Sequence, residues 1–161
     1  MERFDQALLA TLADTAANSV RRRANHNIHP RLDDPVQRFF NAMQPDTYVR
    51  PHRHCTPPRW ELFLVLRGRL ALLTFAMDGR VIRREEICAA GPVFGVEVPE
   101  ATWHALVALE PSIVFELKEG PYHALSDKDF AQWAPAEGDS TCAAWVNWYR
   151  LAQPGDMPPV S

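Results

Sequence analysis

The stretch YVRPHRHCTPPRWELFLVLRG, residues 48–68, places two histidines one residue apart, ahead of two prolines and an apolar run. Successive side chains of a strand point to opposite faces, so His52 and His54 would project from the same face. Pro57 and Pro58 then turn the chain back, and Glu61 begins the next strand close to the end of the first. If these two strands pair antiparallel, both imidazoles and the carboxylate can reach one metal ion.

A fourth candidate ligand lies in VPEATWHALVAL, residues 98–109. A turn at Pro99 precedes a new strand there, and nothing in its apolar pattern requires His104. The alternative is that each histidine is a surface residue or a hydrogen-bonded core residue. Together the spacings favour a metal site made of His52, His54, Glu61 and His104. Three imidazoles and one carboxylate suit Mn, Fe, Co, Ni, Cu or Zn, and the ligand set does not choose among them.

Length and composition predict one compact domain that is neither disordered nor specialised for nucleic acid. The chain has 161 residues, of which 47% are hydrophobic and 23% charged, and its net charge is -3. Such numbers are typical of soluble globular proteins. Phosphate backbones are bound by clustered Lys and Arg, so this weak acidity argues against nucleic acid as the main partner.

Targeting signals and cysteine usage predict a cytoplasmic location. The apolar runs are only strand-length, so we expect no membrane span. The N-terminus has acidic residues at positions 2 and 5 and its arginine triplet only at 21–23, which is the reverse of the charge order of a secretory signal. The three cysteines Cys55, Cys88 and Cys142 are far apart and odd in number, which favours free thiols over a disulfide framework. Cys55 directly follows the histidine pair, and we interpret it as a small loop residue rather than a ligand.

Hydrophobic periodicity predicts a helix followed by strands. Apolar residues recur at helical spacing over residues 2–19, and prolines forbid a long helix from residue 30 to 58. Six strand-length segments follow, and MDGR at 77–80 has the Asp-Gly of a tight hairpin turn. These segments are 60–67, 69–77, 81–87, 93–98, 103–109 and 113–118. With two more strands between residues 39 and 54, the count reaches that of a jelly roll.

We therefore predict three segments. Residues 1–29 form a helix and an extended arm, residues 30–123 form the β-barrel, and residues 124–161 form a C-terminal extension. Within this extension DKDFAQW (127–133) and CAAWVNWYR (142–150) are predicted to be short helices.

The two candidate ligand stretches resemble the two short motifs of the cupin superfamily. This resemblance implies a mainly β fold, a cupin-type double-stranded β-helix (jelly-roll barrel), here with an N-terminal α-helix and short C-terminal helical segments. It also implies a metal held by two histidines and a glutamate of the first motif and a histidine of the second, which correspond to His52, His54, Glu61 and His104. The chain departs from the pattern where cupins prefer glycine, with Asp46 and Thr47 before the histidine pair and Ala101 in the second motif.

A closer resemblance, spanning about residues 8–138, is to the WbuC family of cupin-fold metalloproteins. It is carried by RRRANHNIH, VQRFFNAM, TYVRPHRH, WELFLVLRG, GVEVP, WHALVAL, FELKEGPY and DKDFAQWAPAEG. The family takes its name from bacterial surface-polysaccharide (O-antigen) gene clusters. The resemblance implies a sugar or sugar-nucleotide-like metabolite as ligand, and it implies no particular reaction.

The stretch RANHNIH alternates Arg23, Asn25, Asn27 and His29. In an extended segment these four side chains share one face and can bind a phosphate or sugar hydroxyl groups at the cavity mouth. The alternative is that the asparagines bond the backbone in an irregular connection.

Two further residues are candidate catalytic groups. Glu97, in FGVEVPE, is predicted to act as a general base, with Glu116 as a weaker candidate. Tyr122 is predicted to donate a proton or to stack on a sugar, and we expect His123 and Lys128 near the entrance, with Lys128 binding substrate. The alternatives are solvent-facing glutamates and an exposed loop aromatic.

Three functions compete at this stage. The first is a metalloenzyme, an isomerase or epimerase, that uses one divalent transition metal (Zn, Fe, Ni or Mn) on a small molecule. The second is an Fe(II)-dependent dioxygenase, and the third is a metal-containing sugar-binding or regulatory protein without turnover. We expect a small-molecule ligand and a homodimer, and neither nucleic acid nor membrane as partner.

Overall fold

Two five-stranded antiparallel sheets form the body of the molecule in the computed structural model, which describes residues 1–122 and 128–159. In chain order the elements are α1 (Gln6–Asn18), β1 (Arg23–Asn27), β2 (Val36–Met43), β3 (His52–Arg53), β4 (Glu61–Arg67), β5 (Arg69–Phe75), β6 (Val81–Cys88), β7 (Gly95–Val98), β8 (Trp103–Ala108), β9 (Ser112–Glu119), β10 (Asp129–Phe130) and α2 (Cys142–Leu151). The first sheet has the order β1-β2-β9-β4-β7 and the second the order β10-β3-β8-β5-β6. The predicted mainly β jelly-roll fold with a helix at each end is confirmed.

The core between the sheets comes from strand alternation. In β4 the side chains of Glu61, Phe63 and Val65 are buried and those of Leu62 and Leu64 are only half-buried, so every second residue points inward. The inward apolar residues of β4 pack with Leu70, Leu72 and others of the second sheet. Glu61 has the same inward parity as Phe63 and Val65, which is why a carboxylate enters the interior.

Each helix covers the outer face of one sheet. Leu12 and Ala16 of α1 pack on Phe40 and Ile113 of the first sheet. The helix begins later than predicted, because the Asp5 side chain accepts a hydrogen bond from the Leu8 N–H at 3.0 Å and caps it. On the other side α2 buries Trp145 and Tyr149 against the second sheet, which explains why β5 is apolar on both faces.

The predicted helix at DKDFAQW is wrong. Its described part contains the short strand β10, which pairs with β3 so that Phe130 lies opposite His52. Pairing with the edge of β3 therefore determines the structure of this segment, although its sequence has a weak helical pattern. The predicted boundary between residues 123 and 124 lies outside the described residues. Among the described helices, none is long and apolar enough to cross a membrane.

Gly68 is required between β4 and β5. Its φ is +82°, and an added Cβ would lie less than 3.0 Å from Ser112 Oγ and from the Pro111 carbonyl oxygen. Gly138 has a similar φ of +92°, with nothing within 4 Å of such a Cβ. The two glycines therefore separate the cost of the left-handed backbone from the cost of the clash.

We expect Gly138→Ala to lower the free energy of unfolding by about 1 kcal/mol, the cost of the left-handed backbone alone. Gly68→Ala should lower it by about 2–4 kcal/mol, because the clash adds to that cost. Urea unfolding followed by circular dichroism measures both. Equal losses for the two variants would contradict the close packing at Gly68.

Candidate metal centre

Three strands and one loop bring His52, His54, Glu61 and His104 together. His52 lies in β3 directly opposite His104 in β8, His54 follows β3, and Glu61 is the first residue of β4. The predicted antiparallel pairing of the His52 and Glu61 strands is wrong, because β3 and β4 belong to different sheets and the carboxylate reaches the histidines from the facing sheet. One potential ligand atom from each of the four lies within 4.8 Å of the other three. All four residues are buried, with exposed fractions between 2% and 4%.

The histidines surround the carboxylate of Glu61. Its Oε2 lies 3.1 Å from His104 Nε2 and 3.3 Å from His54 Nε2. The ring centroids of His52 and His104 are 4.5 Å apart, and those of His52 and His54 are 5.3 Å apart. The donors thus converge from several directions on one small volume.

Backbone carbonyls orient two of the imidazoles. His52 Nδ1 lies 2.9 Å from the Arg50 carbonyl oxygen, and His104 Nδ1 lies 2.9 Å from the Thr102 carbonyl oxygen. A carbonyl oxygen only accepts hydrogen bonds, so each Nδ1 carries a proton and Nε2 is the ring atom that each imidazole can offer to a metal. Such carbonyl contacts are typical of histidines that bind metals.

The turn before His104 is tied to the histidine pair. The Ala101 N–H donates to the His54 carbonyl oxygen at 3.1 Å. Ala101 has a φ of 56°, in the left-handed region where the cupin pattern prefers glycine. The chain therefore keeps the turn geometry with alanine in place of glycine.

Electrostatics favour the ionised state of Glu61 and the neutral state of His52. Burial alone would raise the pKa of Glu61, but hydrogen bonds from His104 and His54 and the charge of Lys118 outweigh it and hold this pKa well below its usual value. Burial, helped by the positive charge of Lys128, holds the pKa of His52 well below its usual value. An anionic carboxylate with neutral imidazoles is a donor set that fits one divalent transition metal.

A cavity of about 530 Å³ opens onto this centre. Its lining includes the predicted substrate-binding residues Arg23, Asn25, Asn27, His29 and Lys128, together with Tyr122, His52 and Glu61. The predicted extended segment is observed as β1 over Arg23–Asn27, and His29 follows the end of this strand. His123 lies outside the described residues.

The side chains of Arg23, Asn25, Asn27 and His29 differ in how accessible they are to a ligand. Asn25 and Asn27 are exposed, whereas His29 is buried. The Arg23 guanidinium donates to Glu137 at 2.8 Å and to the Tyr48 carbonyl oxygen at 2.8 Å, so protein groups already bind it.

The structure corrects the prediction that Glu97 acts as the base. Glu97 lies opposite Leu62 in the β4–β7 pair, and both point away from the core, so Glu97 is exposed on the outer face of the first sheet. Val98, opposite Glu61, takes the inward position instead. Glu97 lines a separate outer groove rather than the cavity.

Glu116 was only a weaker candidate in the sequence and Lys118 was not predicted, although both line the cavity wall formed by β2 and β9. Glu116 is 6% exposed and accepts a hydrogen bond from Asn41 Nδ2 at 2.6 Å. Lys118 lies opposite Glu61, and its Nζ is 3.9 Å from Glu61 Oε1. The available signal was the alternation of FELKEG, in which Glu116 and Lys118 share a face.

Burial, reinforced by the negative charge of Glu61, raises the pKa of Glu116 to about 7. This folded-state pKa exceeds the usual value of 4.5, so the folded protein binds the extra proton between these limits. The protonated Glu116 side chain therefore contributes to the free energy of unfolding at low pH. This contribution is fully present below about pH 4.5 and is lost as pH rises through about 7.

For metal-free protein, we expect the wild type to lose on the order of 1–3 kcal/mol of stability relative to Glu116→Gln between about pH 5 and pH 8. The reason is that only the wild type must ionise a second buried carboxylate beside Glu61. Urea unfolding of both proteins across this pH range measures the difference. Parallel stability curves would contradict the raised pKa.

Comparisons with known proteins give the chain a family and a fold. Residues 4–87, just over half of the chain, match the sequence profile of a family described as a domain of unknown function (DUF6016). No curated protein sequence matches the chain.

Several solved structures share the fold. The capsular polysaccharide assembling protein CapF from Staphylococcus aureus has a TM-score of 0.51 and 20% identity, over 61% of this chain and 27% of CapF. A cupin superfamily protein from Desulfitobacterium hafniense has a TM-score of 0.51 and 14% identity, over 67% of this chain and 86% of that protein. A single-substitution variant of Bacillus subtilis oxalate decarboxylase has a TM-score of 0.50 and 16% identity, over 67% of this chain and 28% of the enzyme. The chain therefore belongs to the DUF6016 family and has a cupin fold.

Proposed function

We propose that this chain is a WbuC-type cupin metalloenzyme that moves a proton on a sugar or sugar-nucleotide-like metabolite. One divalent transition metal would be held by His52, His54, Glu61 and His104. The observation that carries the proposal is the convergence of these four buried donors beside an open cavity whose wall carries a second buried carboxylate, Glu116.

The metal, when bound, supplies Lewis acidity that polarises a carbonyl or hydroxyl oxygen of the ligand. Glu61 neutralises part of the ion's charge, and the Arg50 and Thr102 carbonyls keep two imidazoles turned toward the centre. Phe39 and Phe63 line the cavity beside these groups and give its wall an apolar part.

Glu116 is the group best placed to move a proton. Its carboxyl lies in the cavity wall, Asn41 Nδ2 donates a hydrogen bond to one of its oxygens at 2.6 Å, and burial raises its pKa above the usual value, toward the range in which a carboxyl can both accept and release a proton near neutral pH. Tyr122 also lines the cavity, with Lys118 Nζ 5.7 Å from its ring centroid. Glu116 thus takes the role that was predicted for Glu97, with Tyr122 as a second candidate proton donor.

The substrate class follows from the polar lining and from the resemblance. Asn25, Asn27, Gln37 and Asn41 give the cavity an amide-rich surface suited to hydroxyl groups. The surface-polysaccharide (O-antigen) setting comes from the WbuC resemblance, and CapF, named as a capsular polysaccharide assembling protein, offers a fold with a related setting. The cytoplasmic location and the homodimer stay predictions.

Metal content tests the first part of the proposal. Wild-type protein purified without a His tag should contain about one equivalent of a transition metal by plasma mass spectrometry, and His52→Ala and His104→Ala should lose it while keeping a folded circular dichroism spectrum. His26→Ala is the matched control, because His26 stacks on Phe40 in β2 and lies outside the group of four. Wild-type protein without metal after reconstitution, or a full equivalent in His104→Ala, would contradict the site.

Proton transfer tests the second part. In D2O the metal-loaded wild type should exchange a carbon-bound hydrogen next to a carbonyl group in a member of a panel of sugars and nucleotide sugars, followed by NMR. Glu116→Gln should slow this exchange by about 100-fold with metal retained. Glu97→Gln should behave as wild type, because Glu97 lies on the outer face. Exchange unaffected by Glu116→Gln would remove the proposed role, and binding without exchange would favour the non-catalytic function.

A further inference from the structure

Both lysines of the chain line the cavity. The sequence contains 17 Lys and Arg residues, and only Lys118 and Lys128 are lysines. Lysine is ordinarily an exposed residue, yet Lys118 is 4% exposed and Lys128 is half-buried. All other cationic side chains are arginines, so the amines of the chain are Lys118, Lys128 and the N-terminal amine.

The cavity is more cationic than the protein around it. Its lining carries five cationic side chains, Arg21, Arg23, Arg50, Lys118 and Lys128, and three carboxylates, Glu61, Glu116 and Glu137. This gives a formal excess of two positive charges within a chain whose net charge is -3. A concave site with such an excess attracts anions, and a divalent ion at the centre would strengthen the attraction.

The cations differ in what they already bind. Arg21 and Arg23 both bond Glu137, at 2.7 Å and 2.8 Å, and Lys118 lies 3.9 Å from Glu61. Arg50 donates one hydrogen bond to the Ala131 carbonyl oxygen at 2.8 Å, while its buried Nε has no hydrogen-bond partner among the described residues. Arg50 therefore keeps binding capacity at the cavity edge.

Arg50 and Lys128 lie on the side of the cavity that holds the metal centre. The Arg50 guanidinium stands 5.3 Å from the centroid of Phe130, whose ring is 6.1 Å from that of His52. Lys128 directly precedes β10, which pairs with β3, and its charge acts on both His52 and Glu116. An anionic group bound here would place the adjoining carbon atoms next to the centre.

The deeper wall is suited to hydroxyl groups. Asn41 Oδ1 and His29 Nε2 are buried and have no hydrogen-bond partner within the described part of the chain. Asn41 and His29 are both at least nine-tenths buried and both line the cavity. A hydroxyl can donate to the amide oxygen and can either donate to or accept from an imidazole nitrogen.

We propose that Arg50 and Lys128 form an anion subsite beside the metal centre, and that the substrate is a polyhydroxylated compound carrying a carboxylate or a phosphate. The inference rests on the proposed function, because it assigns the substrate class of the same cavity. It adds that neutral sugars bind more weakly than acidic ones, because Arg50 and Lys128 bind the anionic group of the substrate.

Amine-specific NMR tests the subsite. Reductive methylation of the full chain with 13C-formaldehyde retains the charges and labels the accessible amines, including Lys128 and the N-terminus, and loss of a signal in Lys128→Gln assigns the Lys128 resonance. Glucuronate, glucose 1-phosphate and glucose are then titrated at millimolar concentrations. One or both acidic sugars should shift the Lys128 signal with a dissociation constant at least about tenfold below that of glucose, and the two arms separate carboxylate from phosphate. Equal affinities for all three probes, or no shift with any of them, would overturn the proposal.

Variants assign the effect to the two side chains. Lys128→Gln and Arg50→Gln should each weaken acidic-sugar binding, measured by calorimetry, by about tenfold and leave glucose binding unchanged. Arg80→Gln is the matched control, because it removes one cation from an exposed position outside the cavity lining. Lys128→Gln behaving as Arg80→Gln would overturn the proposal.

His104→Ala separates this inference from the metal proposal. Binding of the acidic sugar that persists in His104→Ala and still depends on Lys128 supports the subsite even if no metal is found. Anion binding lost in His104→Ala while Lys128→Gln has no effect would mean that the anion binds the metal, and the subsite would be overturned.

Discussion

The centre of the molecule is a buried negative charge that the fold must balance. Glu61 is 3% exposed, and an unbalanced carboxylate in such surroundings costs several kcal/mol. Two imidazoles and the Lys118 ammonium lie within 4 Å of its oxygens. His52 adds a third imidazole that is held neutral, so the interior is arranged around one carboxylate with its cationic and neutral partners. A divalent cation at this point would complete the balance.

Strand register turns this local constraint into a cavity. The pairs Glu61–Lys118 and Phe63–Glu116 set β9 so that its polar residues face the same interior as the centre. The pair Asn41–Val114 sets β2 in turn, and the Asn41 side chain reaches Glu116. One sheet therefore supplies both the carboxylate of the centre and the polar wall. The other sheet supplies His52 and His104 in directly opposed strands.

The sequence was most informative where contacts are local. His52 and His54 converge as strand alternation predicts, so this pair could be predicted without long-range information. Glu61 also reaches them, but across the space between the two sheets and not through the antiparallel hairpin predicted from the sequence. The shared face of Arg23, Asn25 and Asn27 in β1 was predictable from the same strand alternation. The alternation of FELKEG shows that Glu116 and Lys118 share a face, but only the pairing of β9 with β4, which joins segments about fifty residues apart, decides that this face lines the cavity. Glu97 was misplaced because alternation says which residues share a face and does not say which face is inside; the pairing of Glu97 with Leu62 decides that.

The ligand set of the bound metal tests the account most directly. X-ray absorption spectroscopy of the metal-loaded wild type should show only nitrogen and oxygen donors, with multiple scattering from three imidazole rings. A sulfur donor, which Cys55 beside His54 would supply, or scattering from fewer than three imidazoles would contradict the assignment of His52, His54, Glu61 and His104.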